Sequence, residues 1–510
     1  MLTRLIGRKT LAACAGLLAL SMSSAARAQD DAAPMPSLAS PEIGSSAYDA
    51  LLDRLQATEA RVQQLEADKQ SPVVWPAGDE EIIKRLTRVE QTVKSEKKFP
   101  TARLTGFAHL DGGWHNQDLV NRANLGDIQD GLGFRRARLQ AVGNLTDDVK
   151  YSLEMDFATA GRPSFMDVWA EQTNLPLLGN LRIGHFRQAT TMDALTSVRQ
   201  LEFLERSTPF QAFDPFRRLG IMAYDKSDDG MWSWAYSGYK TGAFNNAPLG
   251  DTRFATDYGD NGGYSFATRL THLLYYDKCT DGGYLLHIGG HYNYSRTTAS
   301  LNNPVPFYQS TVIPEFFIGD PAGGGLTAND EPAFLNTGRL AARDFHFFGF
   351  QLAAQDGPAH IQAEYMGTSV NQIGNRAVYY DGAYVQAGYF LTGEHRTYNQ
   401  MFGVFDKVTP YENFFGSGRR GHLCGLGAWE VTGRWSYVNL QDSDAVAIAV
   451  AAGPPPTPNA GRMHETTVGV NWYWNPNTKL QLCWMHCFLD TVNFGDSDCD
   501  IFAGRFAFEF

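Results

Sequence analysis

At 510 residues the chain is long enough for several domains, or for one large barrel with an appendage. A hydrophobic fraction of 43% and a mean hydropathy of -0.30 do not fit a helical membrane protein, and beyond the N-terminus no run of about 18 apolar residues occurs, the length a spanning helix needs. The formal charge of -12 falls entirely in residues 101–510, with 30 of the 43 basic and 42 of the 55 acidic side chains, which excludes nucleic acid as a partner; six cysteines are too few and too scattered for a disulfide scaffold.

Residues 1–28 read as a secretory signal. Arg4, Arg8 and Lys9 form its basic front, Leu11 to Met22 its short apolar run, and Ala26-Arg27-Ala28 its cleavage site. The mature chain then starts at Gln29, and its destination is outside the inner membrane. Residues 29–45, rich in Ala, Pro and Ser, read as a flexible linker. Between 46 and 98 two helical segments carry an a/d rhythm: Leu51, Leu55, Thr58, Val62 and Leu65, then Ile82, Leu86, Val89 and Val93. Such a seam predicts a short periplasmic coiled coil between protomers, with a single amphipathic helix packed on the remainder as the alternative.

From residue 101 the hydrophobic period changes to 2. In 149–157, Tyr151, Leu153, Met155 and Phe157 share one face against Ser152, Glu154 and Asp156. In 428–437, Trp429, Val431, Trp435 and Tyr437 oppose Glu430, Thr432, Arg434 and Ser436. In 464–474, Val468, Val470, Trp472 and Trp474 oppose Glu465, Thr467 and Asn471. The last alternation, Phe502, Phe506, Phe508 and Phe510 against Arg505 and Glu509, runs to the final residue, as expected of an outer-membrane barrel. Aromatic residues at strand ends and charges in mid-strand separate such a barrel from a soluble sandwich, because a water-filled lumen tolerates those charges. The expectation for 101–510 is an all-β fold: a transmembrane antiparallel β-barrel of about sixteen strands, preceded by the helical segment. Short turns at Asn144 to Asp148, Asp225 to Gly230, Asp356 to Pro358 and Asn475 to Asn477 alternate with long loops near 188–215, 241–262, 297–342 and 439–463. Segment 392–424 falls on the short-turn side, as either a folded plug or a periplasmic loop.

Six stretches occur in order along the barrel: Gly133 to Arg138, Glu205-Arg206-Ser207, Arg217 to Gly220, Tyr384 to Ala387 leading into Phe390 to Glu394, Gly427 to Glu430, and Asn471 to Pro476. With them the chain resembles the phosphate-selective porin O and P family over roughly 101–510. The resemblance implies a sixteen-stranded barrel, usually a homotrimer, with a loop folded in as a constriction; here that loop is 188–215. It also implies a preference for anions such as phosphate, which needs a surplus of Arg and Lys along the path.

Candidate filter residues follow from strand parity. Arg136 and Arg138 share one face, with Ala137, Leu139 and Ala141 on the lipid side; Arg182 opposes Leu181 and Ile183, and Arg434 follows suit. Arg199 and Arg206 lie in the candidate constriction with Glu202 and Glu205, and Arg217 and Arg218 follow it. As a set they describe a basic track that steers anions past a narrow point. The competing reading pairs them with the lumen acids Asp111, Glu154, Asp156, Glu364 and Glu430 and leaves a neutral wall.

No catalytic motif, metal site or cofactor is expected. Cys483 and Cys487 lie about 13 Å apart on a strand, too far for one ion, and Asp496 to Asp500 reads as a solvated acidic loop. The expected function is a passive diffusion channel of the bacterial outer membrane, its partners being lipid, small hydrophilic solutes or anions, and further copies of itself as a homotrimer. The alternative is a structural protein that tethers the envelope through its N-terminal helices around a closed barrel. An outer-membrane enzyme in the barrel wall is the third class, disfavoured by the missing Ser/His constellation.

Overall fold

Period-2 alternation produces sixteen long strands in the computed structural model: β1 (Arg103–Gln117), β2 (Gly131–Asn144), β3 (Val149–Asp156), β4 (Ser164–Leu175), β5 (Gly179–Arg187), β6 (Arg217–Lys226), β7 (Trp232–Lys240), β8 (Tyr264–Tyr276), β9 (Tyr284–Arg296), β10 (Leu340–Asp356), β11 (Ala359–Gln372), β12 (Val378–Phe390), β13 (Ala428–Asn439), β14 (Gly461–Asn475), β15 (Thr478–Thr491) and β16 (Gly495–Glu509). The structure describes Lys84 and residues 99–510, apart from 159–162, 242–262, 300–304, 319–331, 416–424 and 448–458. The signal, the linker and both heptad seams lie outside the described residues. The chain divides into two units, Met1–Glu96 and Lys97–Phe510, and the second is the barrel.

Each strand pairs antiparallel with the next, and β16 returns to β1 with Phe107 opposite Glu509 and Gln117 opposite Cys499. The ring is therefore closed, which satisfies every strand's backbone inside lipid. The two faces follow the alternation. On β14, Val468 and Val470 are exposed on the outer face while Glu465, Thr467 and Asn471 are buried on the inner one. Trp429 stacks on Trp472 at 4.8 Å, and Trp474 meets Phe506 at 5.5 Å, an aromatic group at the rim where an interfacial girdle belongs.

At the end where β1 begins, the connections 145–148, 176–178, 227–231, 277–283, 357–358 and 476–477 are short; in an outer-membrane barrel this is the periplasmic end. One connection there is long, residues 391–427, matching the exception expected at 392–424. Its described part folds into the barrel: Tyr398, Val404 and Phe405 pack with the inward-facing Leu273, Leu285 and Ala353.

Two further segments enter from the opposite end. Residues 188–216 carry two short helices, α1 (Met192–Leu195) and α2 (Thr208–Phe213), and cross the lumen. Glu364 on β11 accepts the N–H groups of Met192 and Asp193 at 2.7 and 3.0 Å. Lys479, Asn471 and Gln481 donate to the carbonyls of Leu201 and Glu202. Glu205 receives Arg136 at 2.6 Å, Arg135 at 3.0 Å and Arg505 at 3.2 Å. Residues 305–318 form the other insertion. There Glu315 is held by Arg434 and by the Ser436 hydroxyl at 2.5 Å, and its own N–H donates to Glu465 at 3.1 Å. Aromatic residues from both insertions, Phe210, Phe213, Tyr308 and Phe316, complete an apolar cluster with Phe345, Phe347, Tyr380 and Tyr384 of the wall.

Gly382 permits the close approach of α2. A Cβ there would meet the Tyr437 carbonyl oxygen at 2.7 Å and Pro209 at 3.0 Å. Gly382→Leu should lower unfolding free energy by about 1–3 kcal/mol, as overpacking does, read from equilibrium guanidinium unfolding in detergent.

Burial alone would raise the Glu205 carboxyl, but Arg135, Arg136 and Arg505 hold it well below the usual range. A depressed carboxyl contributes stability above its unfolded value and loses it as pH falls toward the folded one. Glu205→Gln should therefore cost about 3–5 kcal/mol at pH 7, since it strands buried guanidinium charge, and the cost should shrink below about pH 4. Asp127→Asn, in the exposed Arg122–Asp127 pair, should cost under about 1 kcal/mol.

Candidate functional site

A cavity of about 660 Å³ lies between the inner wall of β1–β6 and residues 197–200 of the constriction loop, and reaches the periplasmic rim. Six basic side chains line it, Arg103, Arg138, Arg187, Arg199, Arg217 and Lys407, against four acidic ones, Glu154, Asp167, Asp406 and Glu509. The barrel as a whole is acidic, yet this lining carries a basic surplus.

Within that lining the arginines are not equally available. Arg138 donates to Asp156 at 2.7 Å, with Glu154 at 3.7 Å. Arg217 holds Asp167 at 3.0 Å and Glu154 at 3.8 Å. Arg199 is looser: Glu509 is 3.7 Å away, Gln140 accepts at 3.4 Å, and the guanidinium lies 4.7 Å from the Phe107 ring centre. Arg187 donates to three carbonyls at the end of α1, those of Ala194, Leu195 and Thr196, at 2.8–3.2 Å. Its carboxylate neighbours are Asp167 and Glu154, both of which Arg217 already engages.

The remaining predicted arginines are placed elsewhere. Arg136 serves the Glu205 cluster. Arg182 is paired with Glu171 at 2.7 Å and lies 4.0 Å from the Trp169 ring centre. Arg206 is buried inside the loop, donating to the carbonyls of Asp193 at 2.6 Å and Thr196 at 2.7 Å. Arg218 is buried and donates to the Arg217 carbonyl at 3.3 Å. Arg434 binds Glu315.

The predicted acids are likewise engaged. Asp111 is paired with Arg505 at 2.6 Å. Glu364 holds α1 and accepts the Tyr384 hydroxyl at 2.6 Å. Glu430 accepts Asn471 at 2.7 Å and Tyr473 at 2.9 Å. Only three of the eight predicted arginines, Arg138, Arg199 and Arg217, line the cavity.

Arg187, Arg396 and Lys407 were not singled out by sequence. Strict alternation from the outward Ile183 would aim Arg187 at lipid. Gly184, at φ 139°, breaks the alternation, so His185 and Phe186 are both buried and Arg187 turns inward. A lone glycine inside a strand was the available signal.

Glu202, His360 and Glu430 each bring one ligand atom within 4.8 Å of the others. Arg396 also binds Glu202, so a cation already shares this cluster. Burial would raise the Glu202 carboxyl, but His360 and Arg396 hold it down to about 2.

Against known proteins, the family model described as Phosphate-selective porin O and P matches residues 108–510. Porin O of Pseudomonas aeruginosa is 25% identical over 400 residues, covering 76% of this chain and 83% of that protein. An uncharacterized protein of Caulobacter vibrioides is 26% identical over 333 residues, covering 64% of this chain and 59% of that protein. Among solved structures, the anion-selective porin from Comamonas acidovorans aligns at 13% identity and TM-score 0.47, covering 80% of this chain and 99% of that one. OmpT of Vibrio cholerae aligns at 10% identity and TM-score 0.45 with the same coverage. With its sixteen strands closed around an inserted loop and the family match spanning the barrel, the chain belongs to the phosphate-selective porin O and P family.

Proposed function

We propose that this outer-membrane porin passes small hydrophilic anions, phosphate among them, along the cavity beside the constriction loop. The observation that carries the reading is the surplus of basic groups at that one place, six against four, in an otherwise acidic barrel. A local surplus sets the potential that a permeating ion meets, whatever the charge of the loops outside. Family membership supports the same reading, since phosphate selectivity is in the family's description.

Apart from the exposed Arg103, Arg187 and Arg199 are the lining residues least committed to carboxylates, and they lie against or within the constriction loop, so they carry the selectivity in this proposal. Arg138 and Arg217 neutralise Glu154, Asp156 and Asp167 and keep those acids from repelling an anion. Export through a cleaved signal and assembly as a homotrimer belong to the same proposal.

The test is a planar bilayer under a potassium chloride gradient. The wild-type current should reverse toward the chloride potential, and Arg187→Gln and Arg199→Gln should each move it toward the potassium potential. Arg182→Gln, outside the cavity, should leave it unchanged. Reversal at the potassium potential in the wild type would overturn anion preference, and equal shifts in all three variants would overturn the assignment to Arg187 and Arg199.

A further inference from the structure

The periplasmic connection does more than fill space, because it brings charge to the pore mouth. Residues 397–407 form a hairpin. Tyr398 and Asn399 pair with Phe405 and Val404, and the Asp406 N–H donates to the Thr397 carbonyl at 2.7 Å. The Thr397 hydroxyl donates to the Lys407 carbonyl at 2.9 Å. Arg396 and Lys407 therefore occupy the two stems of one hairpin, and fixing one stem fixes the other.

The Arg396 stem is docked on the constriction loop. Its guanidinium is buried, binds the Glu202 carboxylate, and donates to the Gln200 carbonyl at 2.5 Å. The Lys407 stem lies at the cavity rim, where the ammonium meets Glu509 at 2.5 Å and Asn477 at 2.8 Å. Glu509 is also the acid that Arg199 approaches at 3.7 Å. The tip of the hairpin is held independently: Arg269 donates to the carbonyls of Phe402 and Gly403, and Tyr398 bonds His287 at 2.6 Å.

We infer that Arg396 is a positioning residue for the pore: by docking the hairpin on the constriction loop it places Lys407 and Asp406 at the periplasmic mouth, making that hairpin a second, one-sided charge element in series with the constriction. Lys407 draws on Glu509 and so leaves Arg199 less neutralised. The inference rests on the channel reading, and the two fail differently: a silent wild type would remove the channel, whereas a conducting wild type with an inert Arg396 would remove only the docking role.

Because the charge lies at one end of the pore, it acts on rectification, the difference in current between the two voltage polarities. Single-channel recordings in potassium chloride should show that Lys407→Glu changes rectification in the wild-type background and has no further effect once Arg396→Ala is present. Arg396→Ala alone should raise conductance by loosening the hairpin from the constriction loop, the tip and the Arg396 backbone staying held by Arg269, His287 and Gln355. Arg396→Lys should restore most of the wild-type trace, which a purely structural role would not require. Glu202→Gln, close in shape to glutamate, should act in the same direction as Arg396→Ala, and the two together should add nothing to either alone. Heat-modifiability on gels confirms that each barrel is folded, and Glu202→Gln serves should Arg396→Ala fail to fold. Unchanged conductance and rectification in folded Arg396→Ala, or additive effects of the two docking substitutions, would overturn the inference.

Discussion

A charge enclosed by a closed barrel must find a partner, and in this protein the partners are what hold the inserted segments in place. Glu205 on the loop meets Arg135, Arg136 and Arg505 of the wall; Glu315 on the second insertion meets Arg434; Arg396 on the periplasmic hairpin meets Glu202 of the loop itself. Each is a buried group whose release would leave an uncompensated charge away from bulk water, a larger penalty than the pair's net gain. The same chemistry therefore decides the loop's path and where the lumen remains open. The loop is tied most densely to β10–β16, and the free volume lies on the other side, against β1–β6.

That asymmetry explains how an acidic chain can line one cavity with a basic surplus. Acids such as Glu205, Glu315, Glu364 and Glu465 are spent on tethering loop backbone and arginines away from the cavity. What faces the cavity is the remainder, in which guanidinium and ammonium groups outnumber carboxylates. Net charge over the barrel and charge in the lining of this one cavity are separate quantities, and here they have opposite sign.

Much of the architecture was legible because strand parity is a local signal. Leu153 against Glu154, or Val468 against Thr467, assigns lipid and lumen faces without reference to any other strand. The short-turn side, and the long connection that breaks its rule, were legible from spacing alone. The pore-facing set was harder, because parity gives a face and not a neighbour. Arg136 and Arg138 are two residues apart on the same face, yet one is consumed by the constriction loop and the other lines the cavity. The difference depends on how 188–216 crosses the lumen, a long-range packing outcome. Arg187 was hidden by the break at Gly184, and Arg396 and Lys407 by lying in an irregular connection where periodicity has nothing to say.

In the proposed channel a narrow passage survives beside a loop pinned across the lumen. Single-channel recording of the purified wild-type protein tests it most directly. Discrete, steady current steps, much smaller than an unobstructed sixteen-stranded barrel would give, are the predicted result. Folded protein that leaves the bilayer silent would contradict the passage and favour a closed barrel with a structural role, and steps of the unobstructed size would contradict the pinned loop.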